Sequence, residues 1–435
     1  MGFLPSLAFL FLLTLLPLSF ATSSSFNHQL LTRSTTTCPP SSIVSVYYPS
    51  WTASQTPAQI PWASTDLAFY FSIATSPTGI VLPAGSEVAL VQSFVKAAHT
   101  AKKKALFTVG GWTASVYFSQ LVATATARTA FAKTLYNFTT SYGFDGVDLD
   151  WEFVGRQGAG SNIVSSADST NLLSFLAVLR STMGAKKLLH ASVPTSGFTG
   201  PTGTTITNYK PYATYLDYIT VMAYDMYASS WSATTGPNAA LAQCSSASGS
   251  VAASVAFWLN SGFPACKILL GVPGYSHLFQ TSSNQIKTTT FGKSKTTAFQ
   301  PLSSSQPADL DYTFTQLVSM GWLSKNGTAG VGGFIRYWDS CTSTPLLFNP
   351  TTQYFIAYDD AQSTNLKAQF AKKNGLAGVN FYDSTGPSSV MYAAARSGLK
   401  GSSSWKRDGL ANVVKKGEGH DEDSLRVEGL SERSV

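Results

Sequence analysis

Four carboxyls, Asp145, Asp148, Asp150 and Glu152, fall within one otherwise apolar decapeptide, FDGVDLDWEF at 144 to 153. Side chains alternate between the faces of a strand. Asp148, Asp150 and Glu152 would therefore share one face, while Val147, Leu149 and Trp151 take the other. Like charges held that close do not all ionise, so at least one proton is retained near neutral pH and at least one pKa is raised. Such a group can act as a general acid. A calcium loop of the EF-hand kind needs Gly at its sixth position and Glu at its twelfth; counted from Asp145 those positions hold Asp150 and Arg156. An octahedral Mg²⁺ site asks for only one or two carboxylates and stays compatible with the pattern. A solvated face does not, because Phe144, Val147, Leu149, Trp151 and Phe153 mark a buried strand. No metal is expected.

The elements that must hold this segment recur along the chain. Runs rich in β-branched and aromatic residues stand at 43 to 49, 66 to 73, 105 to 109, 145 to 151, 188 to 193, 217 to 223, 267 to 273 and 376 to 382. Helical periodicity separates most of them, at 87 to 103, 128 to 141, 169 to 183 and 361 to 374. Eight strands alternating with helices predict an α/β fold, a (β/α)₈ TIM barrel; a doubly wound open sheet is the alternative. The spacing breaks once, between Pro273 and Leu376, a gap longer than one helix and two loops require. A helix at 309 to 323 and the strand-like GGFIRYW at 332 to 338 lie inside it. A small α+β insertion after strand seven is expected over 280 to 339.

The chain has 435 residues, of which only 12% are charged, and its formal net charge of +7 is thinly spread. Nothing in it resembles a basic, aromatic-interleaved stripe for phosphates, so nucleic acid is not an expected partner. Residues 3 to 20 form an apolar run closed by Ser19 and Ala21, which reads as a signal peptide over 1 to 21. A Ser/Thr-rich leader follows at 22 to 37, then a catalytic region at 38 to 399, then a charged tail at 400 to 435. No later segment is apolar and long enough to span a membrane, and a secreted, extracellular monomer is expected. Cys38, Cys244, Cys266 and Cys341 suit an oxidising compartment and match no zinc motif. Cys244 with Cys266, which closes a local loop, and Cys38 with Cys341 are the expected pairs. Asn137 and Asn326 head N-x-Thr sequons and are expected glycan sites.

Together these residues resemble family 18 glycoside hydrolases, the chitinase family, whose DxxDxDxE signature is met by Asp145, Asp148, Asp150 and Glu152. Thr108-Val109-Gly110-Gly111 resembles that family's SxGG strand with Thr in place of Ser. Met222-Ala223-Tyr224-Asp225 resembles its MxYD strand, and Gly271-Val272-Pro273 with Tyr275 its seventh-strand GxPxY. Tyr358-Asp359-Asp360 with Ser363 and Lys367, followed by Gly378 to Asp383, resembles its eighth helix and strand. The resemblance implies a barrel whose pocket lies at the C-terminal ends of the strands, with Glu152 nearest the rim as general acid.

On spacing alone Asp150 is the candidate nucleophile of a two-carboxylate scheme, since i and i+2 on a strand lie roughly 6 to 7 Å apart. The resemblance implies instead that the sugar's own 2-acetamido oxygen attacks C1, giving an oxazolinium intermediate opened by water with retention. Asp150 then accepts from the acetamido N–H, Asp148 shares a proton with it deeper in the barrel, and Tyr224 donates its phenol to the acetamido oxygen. Asp225 meets sugar hydroxyls or Glu152. Met222, Gly111, Trp112, Tyr48, Tyr382 and, from the insertion, Arg336 are expected at the substrate, while Asp145 and Gly110 are expected to be structural. His190 and His277 are expected to take no part, and no cofactor is implied.

The implied substrate is chitin or its N-acetylglucosamine oligosaccharides, cut internally. An endo-β-N-acetylglucosaminidase acting on N-glycans uses the same motif, although the large insertion argues against it. A chitin-binding lectin on the same barrel is the non-catalytic alternative, although such relatives usually lose the acid. Two positions depart from the family pattern. Tyr382 stands where a Trp usually floors the pocket, and His277 where an Arg is common.

Overall fold

A computed structural model describes residues 42–246, 249–307 and 310–401. Eight parallel strands close into a barrel: Ile43–Pro49, Leu67–Ile73, Lys104–Gly110, Gly146–Asp150, Leu188–Val193, Tyr218–Val221, Ile268–Pro273 and Gly378–Tyr382, numbered here one to eight. Strand eight pairs with strands one and seven, which closes the ring. Every one of the eight runs expected from the sequence is a strand. They formed readable runs because both faces are covered, the outer by helices and the inner by side chains packed across the barrel.

The helices show the same logic. Ala125–Tyr142 begins where the Thr124 side chain accepts a hydrogen bond from the Ala127 N–H, and it ends at Gly143 in the left-handed region. Its buried stripe of Phe131, Leu135 and Phe138 faces the barrel, where Phe138 meets Phe107 on strand three at 4.6 Å between ring centroids.

The interruption after strand seven is wider than the expected 280 to 339. A five-stranded antiparallel sheet orders as Asp311–Thr313, Tyr275–Gln280, Tyr354–Ala357, Thr344–Asn349, Ile335–Asp339. Only Gly274 separates its first strand from strand seven, so sequence alone runs the two together. The helix expected at 309 to 323 is the shorter Phe314–Ser319, with positive-φ Gly321 just beyond it. One face of the sheet packs Leu278, Leu347 and Ile356 against Phe314, Met391 and Ala394, and the other packs Phe279, Phe348 and Phe355 against Tyr227.

The disulfide pairing corrects the sequence reading. Cys244 is bonded to Cys341, with 5.9 Å between their Cα atoms, within the usual range for such bonds. Sequence proximity favoured Cys266, but helix Val251–Asn260 fills the interval between Cys244 and Cys266. The segment carrying Cys244 instead lies against the insertion, where Leu241 N–H donates to Thr342 O at 2.9 Å. Cys266 is itself disulfide-bonded, and the expected Cys38–Cys341 pair is excluded. Cys38, the signal peptide at 1 to 21, the leader at 22 to 37 and the tail from 402 lie outside the described residues. Among the described residues no helix is long and apolar enough to cross a membrane.

Candidate active site

Six of the eight strands, with the segments that follow strands six and seven, line one cleft of about 520 Å³ at the C-terminal end of the barrel. Its chemistry centres on strand four. The register sets Asp148 between Thr108 on strand three and His190 on strand five, and Asp150 between Gly110 and Ser192. Both aspartates point inward and are buried. The close approach of strands three and four requires glycine at 110: an added Cβ would stand 2.1 Å from the Asp150 carbonyl oxygen, and φ there is +101°.

Strand four ends at Asp150, so Glu152 sits in the turn beyond it rather than on the strand as expected. Backbone contacts fix it there. The Glu152 N–H donates to Ser115 Oγ at 3.2 Å, and its carbonyl accepts from Asn162 Nδ2 at 2.7 Å. Ser115 Oγ in turn lies 2.8 Å from the carbonyl oxygens of Gly111 and Asp150. The side chain of Glu152 lines the cleft.

Crowding and burial have the expected electrostatic result. Burial, then the charge of Asp225, push the Glu152 carboxyl up to about 7. Burial, then the charges of Glu152 and Asp148, raise Asp150 well above the usual carboxylate range. Asp150 Oδ1 has no partner among the described residues, which leaves it available to a ligand N–H or a proton. Asp148 is differently placed. Its Oδ1 lies 2.7 Å from His190 Nδ1, its Oδ2 accepts from Thr108 Oγ1 at 2.8 Å, and Ser192 Oγ is 3.3 Å away.

Tyr224 lies just past strand six and reaches into the cleft, and Gly271 on strand seven leaves room for its ring, since a Cβ there would meet Tyr224 Cε1 at 2.8 Å. Burial, then Asp150 and Asp225, hold its phenol protonated. Asp225 has φ +57°, with its N–H donating to Asn238 Oδ1 at 2.7 Å. Its carboxylate accepts from Tyr275 Oη and sits 2.9 Å from His277 Nε2. Met222, Gly111 and Trp112 line the cleft as expected. Tyr382 lines it too, its ring stacked near Tyr224 at 6.2 Å and edge-on to Phe71 at 5.3 Å. If that ring carries a sugar face, Tyr382→Trp will tighten oligosaccharide binding by roughly three- to tenfold, the size of an added aromatic contact. Calorimetric titration checks this, and an unchanged affinity would place the ring away from the sugar.

Several expectations fail for reasons of strand parity. Tyr48 points out of the barrel toward Phe94, with its hydroxyl on Gln55 O at 3.0 Å; Tyr47 takes the cleft position and hydrogen-bonds Ser192 Oγ at 2.6 Å. Inward Ser45 carried the signal, since it fixes the odd-numbered residues of strand one as interior. Arg336 is not among the cleft residues. On its edge strand it faces helix Ala361–Lys373, where Nη2 donates to the N-cap Asp360 at 2.6 Å and the guanidinium ties insertion to barrel. Both histidines expected to be uninvolved are engaged, His190 with Asp148 and His277 with Asp225 and Asp311. Burial alone would lower the pKa of His277, but its bonds to Asp225 and Asp311 outweigh that and raise it to about 9. Trp51, Phe71, Ser192 and Arg156, which carry no motif signal in the sequence, also line the cleft. Trp51 and Trp112, at 65% and 54% exposed, present bare aromatic faces at its mouth.

Asp145 stands at the opposite end of strand four, held by Lys104 Nζ at 2.8 Å, His99 Nε2 at 2.9 Å and the Ala105 N–H at 3.0 Å. Burial raises its pKa, but these bonds outweigh that and lower it overall. The sequon residues Asn137, on helix Ala125–Tyr142, and Asn326, in a turn, are both exposed.

A closed parallel barrel with an α+β insertion after strand seven and carboxyls ascending strand four defines a barrel glycosidase architecture. A sequence model described as Glycosyl hydrolases family 18 matches residues 43–386, and the chain belongs to that family. A "chitinase-like effector" of Moniliophthora roreri is 34% identical over 79% of this chain and 89% of its own length. Chitinase A1 of Niallia circulans is 32% identical over 65% of this chain and 40% of its own. Among solved structures, a chitinase from Rhizomucor miehei superimposes with a TM-score of 0.72 at 26% identity, over 82% of this chain and 99% of that one.

Proposed function

We propose that the chain is a secreted, endo-acting chitinase that cleaves β-1,4 bonds between N-acetylglucosamine units with retention, using the substrate's own acetamido group. The observation that carries this reading is Glu152, a cleft carboxyl pushed up to about 7, above a buried Asp150 with an unpartnered oxygen. Protonated Glu152 gives its proton to the glycosidic oxygen as the bond to C1 breaks. The acetamido carbonyl oxygen attacks C1 from the opposite face, Asp150 takes the acetamido N–H, and the Tyr224 phenol donates to the acetamido oxygen. Deprotonated Glu152 then activates the water that opens the oxazolinium ring. The apolar run at 3 to 20 and the disulfide-bonded cysteines support secretion, and Asn137 and Asn326 are exposed sites for glycans.

Because Glu152 must be protonated in the free enzyme, kcat/KM falls as pH rises through about 7. A pH–rate profile checks this, and an alkaline limb near the ordinary Glu value would remove the assignment. A second reading, chitin-oligomer binding without turnover, is favoured by the effectors among the relatives. Product analysis of N-acetylglucosamine hexamer beside an N-glycosylated protein separates the readings. The proposal expects short oligomers from the hexamer and an intact glycoprotein. Release of N-glycans would make the chain an endoglycosidase, and binding without products a lectin-like effector.

A further inference from the structure

We infer that His190 is a positioning residue for this reaction: its Nδ1–H fixes Asp148 as the acceptor of the aspartate pair and sends their shared proton to Asp150, beside the substrate. The inference rests on the proposed reaction above and adds a residue buried behind the cleft wall rather than lining it.

His190 stands on strand five directly opposite Asp148, and both side chains are essentially inaccessible. Its Nδ1 is 2.7 Å from Asp148 Oδ1, and its Nε2 is 2.9 Å from Thr220 Oγ1 on strand six. A buried carboxylate facing an imidazole nitrogen needs a hydrogen between them, so the ring carries its proton on Nδ1. The hydroxyl of Thr220 then donates to Nε2, and every polar atom of the ring is satisfied. The groups facing the pair from neighbouring strands are Thr108, Ser192 with Tyr47 behind it, Asp150, and the ring of Phe69 at 4.6 Å from the imidazole centroid. Burial keeps the Tyr47 phenol protonated.

The donors are thus unequally divided between the two aspartates. Asp148 receives a hydrogen on each oxygen, from His190 and from Thr108, and needs no proton of its own. Asp150 receives none on Oδ1 from the described residues. A proton shared between them therefore resides on Asp150, whose protonated form can turn between Asp148 below and Glu152 or the acetamido group above. Without His190 the Oδ1 of Asp148 keeps only the longer contact from Ser192 Oγ at 3.4 Å, and its charged form is held less well. A second proton on the pair leaves no negative charge to stabilise the oxazolinium ring. The acid limb of the kcat profile should therefore move to higher pH.

His190→Ala is expected to lower kcat at least tenfold with KM unchanged, and to shift that acid limb upward. His190→Asn, whose Nδ2–H can take the place of Nδ1–H, should restore kcat to within about threefold and return the limb to its position. Equal loss in both variants with an unmoved limb would reduce His190 to a packing role. The independent readout is the nitrogen NMR spectrum of the unmodified protein, with the His190 signals assigned by their loss in His190→Asn. A protonated Nδ1 supports the inference, and a ring protonated on Nε2 alone overturns it. That spectrum needs no turnover, so a parent chain that fails to hydrolyse the hexamer would remove the proposed function while the His190 assignment is still decided.

Discussion

Glu152→Gln is expected to hydrolyse N-acetylglucosamine oligomers roughly a thousandfold more slowly than the parent chain while binding them with similar affinity, the loss ascribed to a general acid. The substitution removes a proton donor and keeps the shape. The backbone bonds that fix residue 152, from Ser115 and Asn162, involve its N–H and carbonyl rather than its side chain, so the turn is retained. Steady-state kinetics on a fluorogenic oligomer, paired with calorimetric binding, separates chemistry from affinity. A variant that keeps most of its activity would show that another group delivers the proton.

Asp150→Asn is expected to cost roughly a hundred- to a thousandfold in kcat, because the amide keeps the volume and loses the charge that favours the oxazolinium ring. Its position magnifies the effect. Asp150 is buried, and burial together with two neighbouring carboxylates makes its charged form costly until a positive ring develops beside it. An Asn there also presents an N–H toward Asp148, whose oxygens already accept from His190 and Thr108. Single-turnover kinetics reads the loss directly, and a change of less than tenfold would argue against acetamido participation.

The barrel was legible because each of its strands is a short run buried on both faces, and the DxxDxDxE spacing is local to one of them. What escaped was set by tertiary contact or by parity. Tyr47 and Tyr48 are identical neighbours, and the parity of strand one, marked in the sequence by the polar Ser45 alone, decides which of them enters the cleft. His190 and Asp148 meet across 42 positions of sequence, and His277 couples a cleft carboxylate to the insertion through Asp311. Neither pairing has a spacing signature. Arg336 lies on a strand that its own sequence marks, but which face of that strand looks toward the cleft depends on how the sheet packs on helix Ala361–Lys373. The Cys244–Cys341 bond joins the barrel's sixth βα connection to the insertion, whereas sequence reasoning could weigh only proximity along the chain.

Catalysis by Glu152 together with the substrate's own acetamido oxygen fixes the anomeric form in which product first appears. Proton NMR of N-acetylglucosamine hexamer during the first minutes of hydrolysis, before mutarotation mixes the anomers, reads this directly. New reducing ends appearing as the β-anomer are the expected result. α-Anomer first, or no new reducing ends, would contradict it.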